Sequence, residues 1–181
     1  MLFRSSIRAQ AEHAKASGPY QLIVDATGAL SIDGQGPEKS LSQLSQAKLM
    51  NAMSINAIGP LLVLQHFAGL LADGHAIYAK LSARVGSISD NQLGGWYGYR
   101  SAKAALNMLL KTAAIETARL NPAAVLLALH PGTVESALSA PFRGAEIGRS
   151  PTQAAADLLA LMDAALPAQS GSFLEIGRAH V

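Results

Sequence analysis

Short, nearly unbroken apolar runs along the chain are separated by longer stretches in which apolar residues recur every three or four positions. QLIVDATG (21–28), AIYAKLS (76–82) and AAVLLALH (123–130) are runs of the first kind. Each is closed by glycine, proline or a polar loop, which predicts strands covered on both faces. Helical spacing predicts a short helix over 3–17, ended by Ser17-Gly18-Pro19, and a longer one over 42–71. Gly59-Pro60 should kink or break the longer one, because proline lacks an N–H and crowds the preceding turn. A further helix is predicted from Tyr97 to Leu120, stopped by Asn121-Pro122. Ser150-Pro151 reads as an N-cap with proline at the first helical position of a helix lasting to Leu166. SGSFLEI (170–176) suits a last strand.

Strands that alternate with helices mean βαβ units. The expected fold is therefore α/β, a Rossmann-like parallel sheet with flanking helices. With 181 residues and no repeat, linker or low-complexity segment, the chain reads as a single domain.

Composition narrows the chemistry. Half the residues are apolar and 14% are charged, which excludes intrinsic disorder. A net charge of +2 without any run of like charges is no footprint for nucleic acid or an anionic membrane surface. The absence of cysteine removes disulfides, thiolate metal sites and cysteine nucleophiles, and the five histidines show no ligand spacing, so no metal is expected. The N-terminus lacks the apolar stretch of a signal peptide, and Ala57–Ala72 is interrupted by Gly59, Pro60, Gln65 and His66. A soluble, cytoplasmic protein without a membrane span is expected.

The stretch GGWYGYRSAKAALNMLLK (94–111) carries the candidate chemistry. Tyr99 and Lys103 are four apart at the start of a helix, so their side chains share one face. A phenol titrates near ~10, too high for easy acid/base work at neutral pH, and a neighbouring ammonium favours its ionised form. Tyr97 has only Ser101 at the same offset.

Several motifs in order resemble the short-chain dehydrogenase/reductase family. Asp25-Ala26-Thr27-Gly28 stands at a strand end where that family has Asn-Asn-Ala-Gly, and Asn56 stands before Gly59-Pro60 in a helix. Ser82 ends the next strand, Tyr99 and Lys103 follow, and Pro131-Gly132-Thr133-Val134-Glu135-Ser136 is similar to the family's P-G-x-x-x-T. The run SARVGSISDNQLGGWYGYRSAK (82–103) resembles the C-factor/carbonyl-reductase-like bacterial subgroup.

The resemblance implies an oxidoreductase that moves hydride between NADP or NAD and a small carbonyl or alcohol. Tyr99 is implied as general acid/base. Lys103 is implied to lower the Tyr99 pKa and to bind the nicotinamide ribose. Asn56 is implied either to relay protons through a water or to repair the kinked helix. Asp25, Ala26 and Gly28 are implied on the adenosine ribose side of the cofactor, with Pro131, Gly132, Val134 and Ser136 around the nicotinamide. The family's serine pair reads Ser82-Ala83 here, so Ser82 is the expected catalytic serine and Ser87 the alternative. Trp96 and Tyr97 are expected to line the substrate cleft, and His130 to be a satisfied strand-end histidine.

No glycine-rich phosphate motif precedes the first strand. By the resemblance, about 60–80 residues that carry the first strands and that loop are expected to be absent, and with them the residue choosing between NAD and NADP. The alternative reading is thus an inactive fragment, or a half-fold used for binding or assembly. A full-length form is expected to be a homo-oligomer. The closing EIGRAHV (175–181) fits no predicted element and matches the translation of a common sequencing adapter, so it is expected to be foreign to the fold. The strand at 22–24 is expected at an apolar, unblunted sheet edge, leaving the isolated chain prone to aggregate.

Overall fold

A computed structural model of the chain describes residues 2–142, 146 and 148–176, with side chains from Ser5 onward. Four strands, β1 (Leu22–Asp25), β2 (Ile77–Leu81), β3 (Val125–His130) and β4 (Ser172–Glu175), form one parallel sheet in the order β1-β2-β3-β4. The helices are α1 (Leu2–Ala14), α2 (Gln46–Met53), α3 (Gly59–Phe67), α4 (Tyr97–Leu120) and α5 (Pro151–Asp163). Ser150 caps α5 by accepting the Gln153 N–H, as its sequence predicts.

The sheet is the core. Leu127 and Leu129 of β3 face one side with Ile77, Ala79 and Met162 of α5. Leu126 and Ala128 face the other, with Tyr78, Leu64 of α3 and Leu110 of α4. Parallel strands need this double cover, which explains their continuous apolar runs.

At β1 the expectation of cover on both faces is not met. Ile23 packs towards α3, but Leu22 and Val24 on the opposite face are 38% and 47% exposed. The cause is position: β1 pairs only with β2, and no described helix lies over that face.

The kink or break expected at Gly59-Pro60 takes the form of a local irregularity, not a chain break. Residues 46–70 form a continuous 25-residue helical stretch, with a π-helical turn at Ser54–Ile58. There the Gly59 N–H reaches back to Ser54 O, and the wider turn accommodates the proline that follows. The stretch is long and apolar enough to cross a membrane, against the expectation from Ala57–Ala72. In this fold it packs on α1 and α4 and buries Asn56 completely.

The last strand read at 170–176 runs to Glu175. Glu175 ends β4 in register with His130 and forms an ion pair of 2.8 Å with Arg84, while the Ile176 N–H donates to His130 O. Residues 177–181 lie outside the described residues.

Candidate active site

The C-terminal ends of β1, β2 and β3 and the start of α4 surround a cavity of about 790 Å3. Ligands in open parallel sheets bind at this end of the strands. Tyr99, the third residue of α4, and Lys103, one turn later, both line the cavity.

The Lys103 Nζ lies 5.5 Å from the centre of the Tyr99 ring and donates to Leu81 O at 3.2 Å. That is its one hydrogen bond among the described residues, so two of its three N–H groups remain for a ligand. Burial, and the nearby Lys80 charge, bring the Lys103 pKa down to about 8. Burial pushes the Tyr99 phenol up to about 12. The lowering of the Tyr99 pKa by Lys103 is therefore not found here: desolvation of the phenol prevails while the ammonium is turned towards Leu81.

The start of α4 is built from outside the helix. Gly94 and Gly95 both have φ of 64°, and Trp96 follows with φ 53°, a left-handed backbone uncommon for a bulky residue. Arg100 holds this turn by donating to the Gly94 and Gly95 carbonyls. Trp96 supplies no side-chain cap to the helix. Instead Glu38, buried in the loop after β1, accepts the Gly98 N–H at 3.1 Å, and its own carbonyl accepts the Trp96 N–H. A carboxylate there complements the positive end of the helix dipole. The turn sets the Trp96 ring edge-on to Tyr99 at 6.3 Å and to Phe142 at 5.0 Å, at the wall of the cavity.

Asn56 sits in the π-turn and grips the loop after β1. Its Oδ1 accepts the Ala29 N–H and its Nδ2 donates to Ala29 O, both at 2.9 Å. Nδ2 also reaches Ala52 O at 3.2 Å, inside its own helix. This grip leaves no room for a side chain at Gly28, where a Cβ would meet Asn56 Oδ1 at 3.1 Å and φ is 148°.

Asp25 departs from its expected role. Its carboxylate lies inside the protein, where Oδ1 accepts from Lys80 Nζ at 2.9 Å and from Thr27, and Oδ2 accepts from Tyr78. Both oxygens are used by protein, and Asp25 does not line the cavity, whereas Ala26 and Gly28 do. Lys80 also donates to the Thr27 carbonyl and hydroxyl, so the buried pair fixes the loop that forms the cavity wall.

No family profile matches the chain. Over 121 residues it is 38% identical to 1-hydroxy-2-glutathionyl-2-methyl-3-butene dehydrogenase of Rhodococcus sp. (strain AD45), covering 67% of this chain and 52% of that protein. The chain thus spans about half the length of that relative. Over 161 residues it is 29% identical to C-signal of Myxococcus xanthus, covering 88% of this chain and 90% of that one. Among solved structures, a Burkholderia multivorans protein described as a short-chain dehydrogenase/reductase, with bound NADP, superposes with a TM-score of 0.80 at 23% identity over 98% of this chain and 72% of its own. NADPH-bound carbonyl reductase from chicken fatty liver gives 0.80 at 24% identity over 98% and 73%. The chain shares the fold of these solved structures.

Of the residues that the family resemblance singled out, Ser82, Pro131, Gly132, Val134 and Ser136 join Tyr99 and Lys103 around the cavity. Ser136 exchanges hydrogen bonds with Ser139, whose hydroxyl donates to Val134 O and shapes that turn. Ser87 does not line the cavity and bonds within its own loop to Ser89 and Asp90. Of the two serines, Ser82 alone borders this cavity. Trp96 lines the cavity and Tyr97 does not. His130 lines it too, stacked on Phe173, but its buried Nδ1 lacks a partner among the described residues, so it is not the satisfied histidine expected.

Sequence reading missed Lys80, Glu38 and Asn107. Lys80 carried one available signal, a charged residue inside an otherwise apolar strand run.

Proposed function

We propose that the protein carrying this chain is an NAD(P)-dependent oxidoreductase that interconverts a small carbonyl and its alcohol, with Tyr99 as the acid/base. The observation that carries this reading is the Lys103 ammonium, 3% exposed, facing the cavity beside Tyr99 with one protein acceptor. A buried charge with so few partners is costly unless a ligand completes them.

A nicotinamide cofactor fits this end of the sheet. The donor set is a lysine with two free N–H groups, a glycine wall at Gly28 and a proline-glycine turn at Pro131-Gly132. When bound, the cofactor supplies or accepts the hydride. Ala26, Gly28, Pro131, Gly132, Val134 and Ser136 would hold it, and Lys103 would bond its ribose. The NADP-bound structural relatives favour NADP over NAD.

Tyr99 is protonated at neutral pH, since burial raises its pKa to about 12. It therefore holds the proton that a carbonyl oxygen needs as it becomes an alkoxide. In the reverse direction Tyr99 would take the alcohol proton as base. Asn56, through Ala29, fixes the loop wall next to both. Small aldehydes and ketones suit a cavity walled by Leu93, Trp96, Leu138 and Phe142.

A second reading, a half-fold used for assembly, is favoured by the open β1 edge with exposed Leu22 and Val24. One experiment separates the two. NADPH or NADH oxidation is followed with a panel of small aldehydes and ketones, for the parent and Tyr99→Phe, with cofactor binding measured by fluorescence. Loss of ~10²–10⁴ in rate with binding retained supports the reductase. A parent that binds neither cofactor, or a Tyr99→Phe variant as fast as the parent, rejects it.

A further inference from the structure

Three groups on α4 face the sheet end in one line: Tyr99, Lys103 and Asn107, at spacings of four and four. The third has no part in the chemistry so far. Asn107 Oδ1 lies 2.6 Å from Ser82 Oγ, and no other hydrogen bond of Asn107 is found among the described residues. Ser82 itself is rigidly seated. Its N–H donates to Leu129 O at 2.7 Å, it is 6% exposed, and it borders the cavity.

The contact restricts what Ser82 can do. Two oxygens at this distance need a proton between them, and only the serine hydroxyl has one to give. With Asn107 Oδ1 facing it, Ser82 spends its single O–H on the amide and presents only lone pairs to the cavity. A half-turn of the amide reverses this. Nδ2 then donates to Ser82 Oγ, and the serine O–H is released to point at a substrate oxygen. Asparagine permits both arrangements because it carries donor and acceptor at the two ends of one planar group, and among the described residues Asn107 has no second bond to resist the turn.

The geometry points to Asn107 as a positioning residue that sets the donor direction of Ser82, turning its amide so that Ser82 can hydrogen-bond the carbonyl oxygen of the substrate. This deepens the reading of the site as a carbonyl/alcohol oxidoreductase and rests on it. Ionised aspartate at position 107 can only accept, so it would hold the Ser82 proton permanently away from substrate. Alanine would leave that proton unheld and free.

The test compares Asn107→Asp and Asn107→Ala with the parent in steady-state carbonyl reduction between pH 5 and 8. For Asn107→Asp at neutral pH, kcat should fall about 10²-fold, the scale for losing one such donor, with KM little changed. Alcohol oxidation should fall by the same factor, since both directions share a transition state. Activity should return towards the parent as the pH is lowered and the new carboxyl group gains the proton it needs to act as donor. Asn107→Ala should lose less and show no such recovery. Equal losses in both variants, with a ratio that does not change with pH, would assign Asn107 a packing role and overturn the proposal.

A parent that reduces no carbonyl would refute the functional reading instead. The proposal is then decided by a melting cycle of Ser82→Ala against Asn107→Asp at pH 5 and 7. Coupling that strengthens at pH 7, where Ser82 donates to a charged acceptor, upholds the proton direction. Absence of coupling overturns it.

Discussion

Two buried lysines stand at neighbouring points of this protein and live by different rules. Lys80, in β2, is 1% exposed and is surrounded by acceptors: Asp25 Oδ1 and O, and Thr27 O and Oγ1. Lys103, on α4, is 3% exposed and, among the described residues, has Leu81 O alone. Burial lowers the proton affinity of both, and Asp25 opposes that effect at each. A lysine whose bonds are all made within the protein holds structure. One whose bonds are left open faces a ligand. Under the proposed function, this contrast places the working side of the site at Lys103.

The largest effect that tests this contrast is on stability. Lys80→Met should leave the Asp25 carboxylate buried without its partner and cost about 3–5 kcal/mol, seen as a large drop in Tm. Adding Asp25→Leu should recover most of the loss, because replacing both members of a buried pair is far cheaper than removing one. If Lys80→Met melts like the parent, the pair is not the clamp described.

Lys103→Met should have the opposite character. The unfolded chain keeps the Lys103 proton up to about 10.5, whereas the folded protein releases it near 8. Between those values the unfolded state binds more protons, so this group makes stability rise with pH. Its burden at neutral pH is on the order of 3 kcal/mol at most. Lys103→Met should therefore gain in Tm over the parent at pH 7, and that gain should shrink by pH 9.5, while cofactor binding is lost. The comparison stops there because Tyr99, held up to about 12, reverses the trend above pH 10. A Tm difference that is the same at pH 7 and 9.5 would show that the ammonium carries no such burden.

Glu38 offers a smaller test of the same distinction, since it is a structural acceptor at the edge of the site. Glu38→Ala should cost about 1 kcal/mol, as other lost helix caps do, and lower kcat through misplaced Tyr99. Glu38→Gln keeps an acceptor for the Gly98 N–H and should restore most of both. If glutamine rescues Tm but not kcat, the charge rather than the hydrogen bond matters to Tyr99.

The smallest effect on folding should come from the sheet edge. Leu22→Lys and Val24→Lys replace exposed side chains on β1 and should change the stability of the monomer by less than about 0.5 kcal/mol. They should nonetheless raise the fraction that elutes as monomer, because charge blunts an open edge. No change in elution would mean that the edge is not what drives association.

Local sequence was enough for most of the elements and for the placement of Tyr99 beside Lys103. Strands 22–25, 77–81 and 125–130 and helix 97–120 follow from hydrophobic period and from glycine and proline punctuation, and Tyr99 and Lys103 share a face because helix geometry alone puts residues four apart together. What the sequence could not express are the contacts between residues far apart in the chain. Asp25 with Lys80, Asn56 with Ala29, Glu38 with Gly98 and Ser82 with Asn107 each join different elements. No period or spacing encodes such pairs. They arise only when strand register aligns Asp25 with Lys80 and when α4 docks across the ends of the strands. The same docking decided that Asp25 turns inward, that Lys103 leans on Leu81 and that desolvation governs the Tyr99 proton, because burial is a property of the packed molecule and of no single segment of its chain.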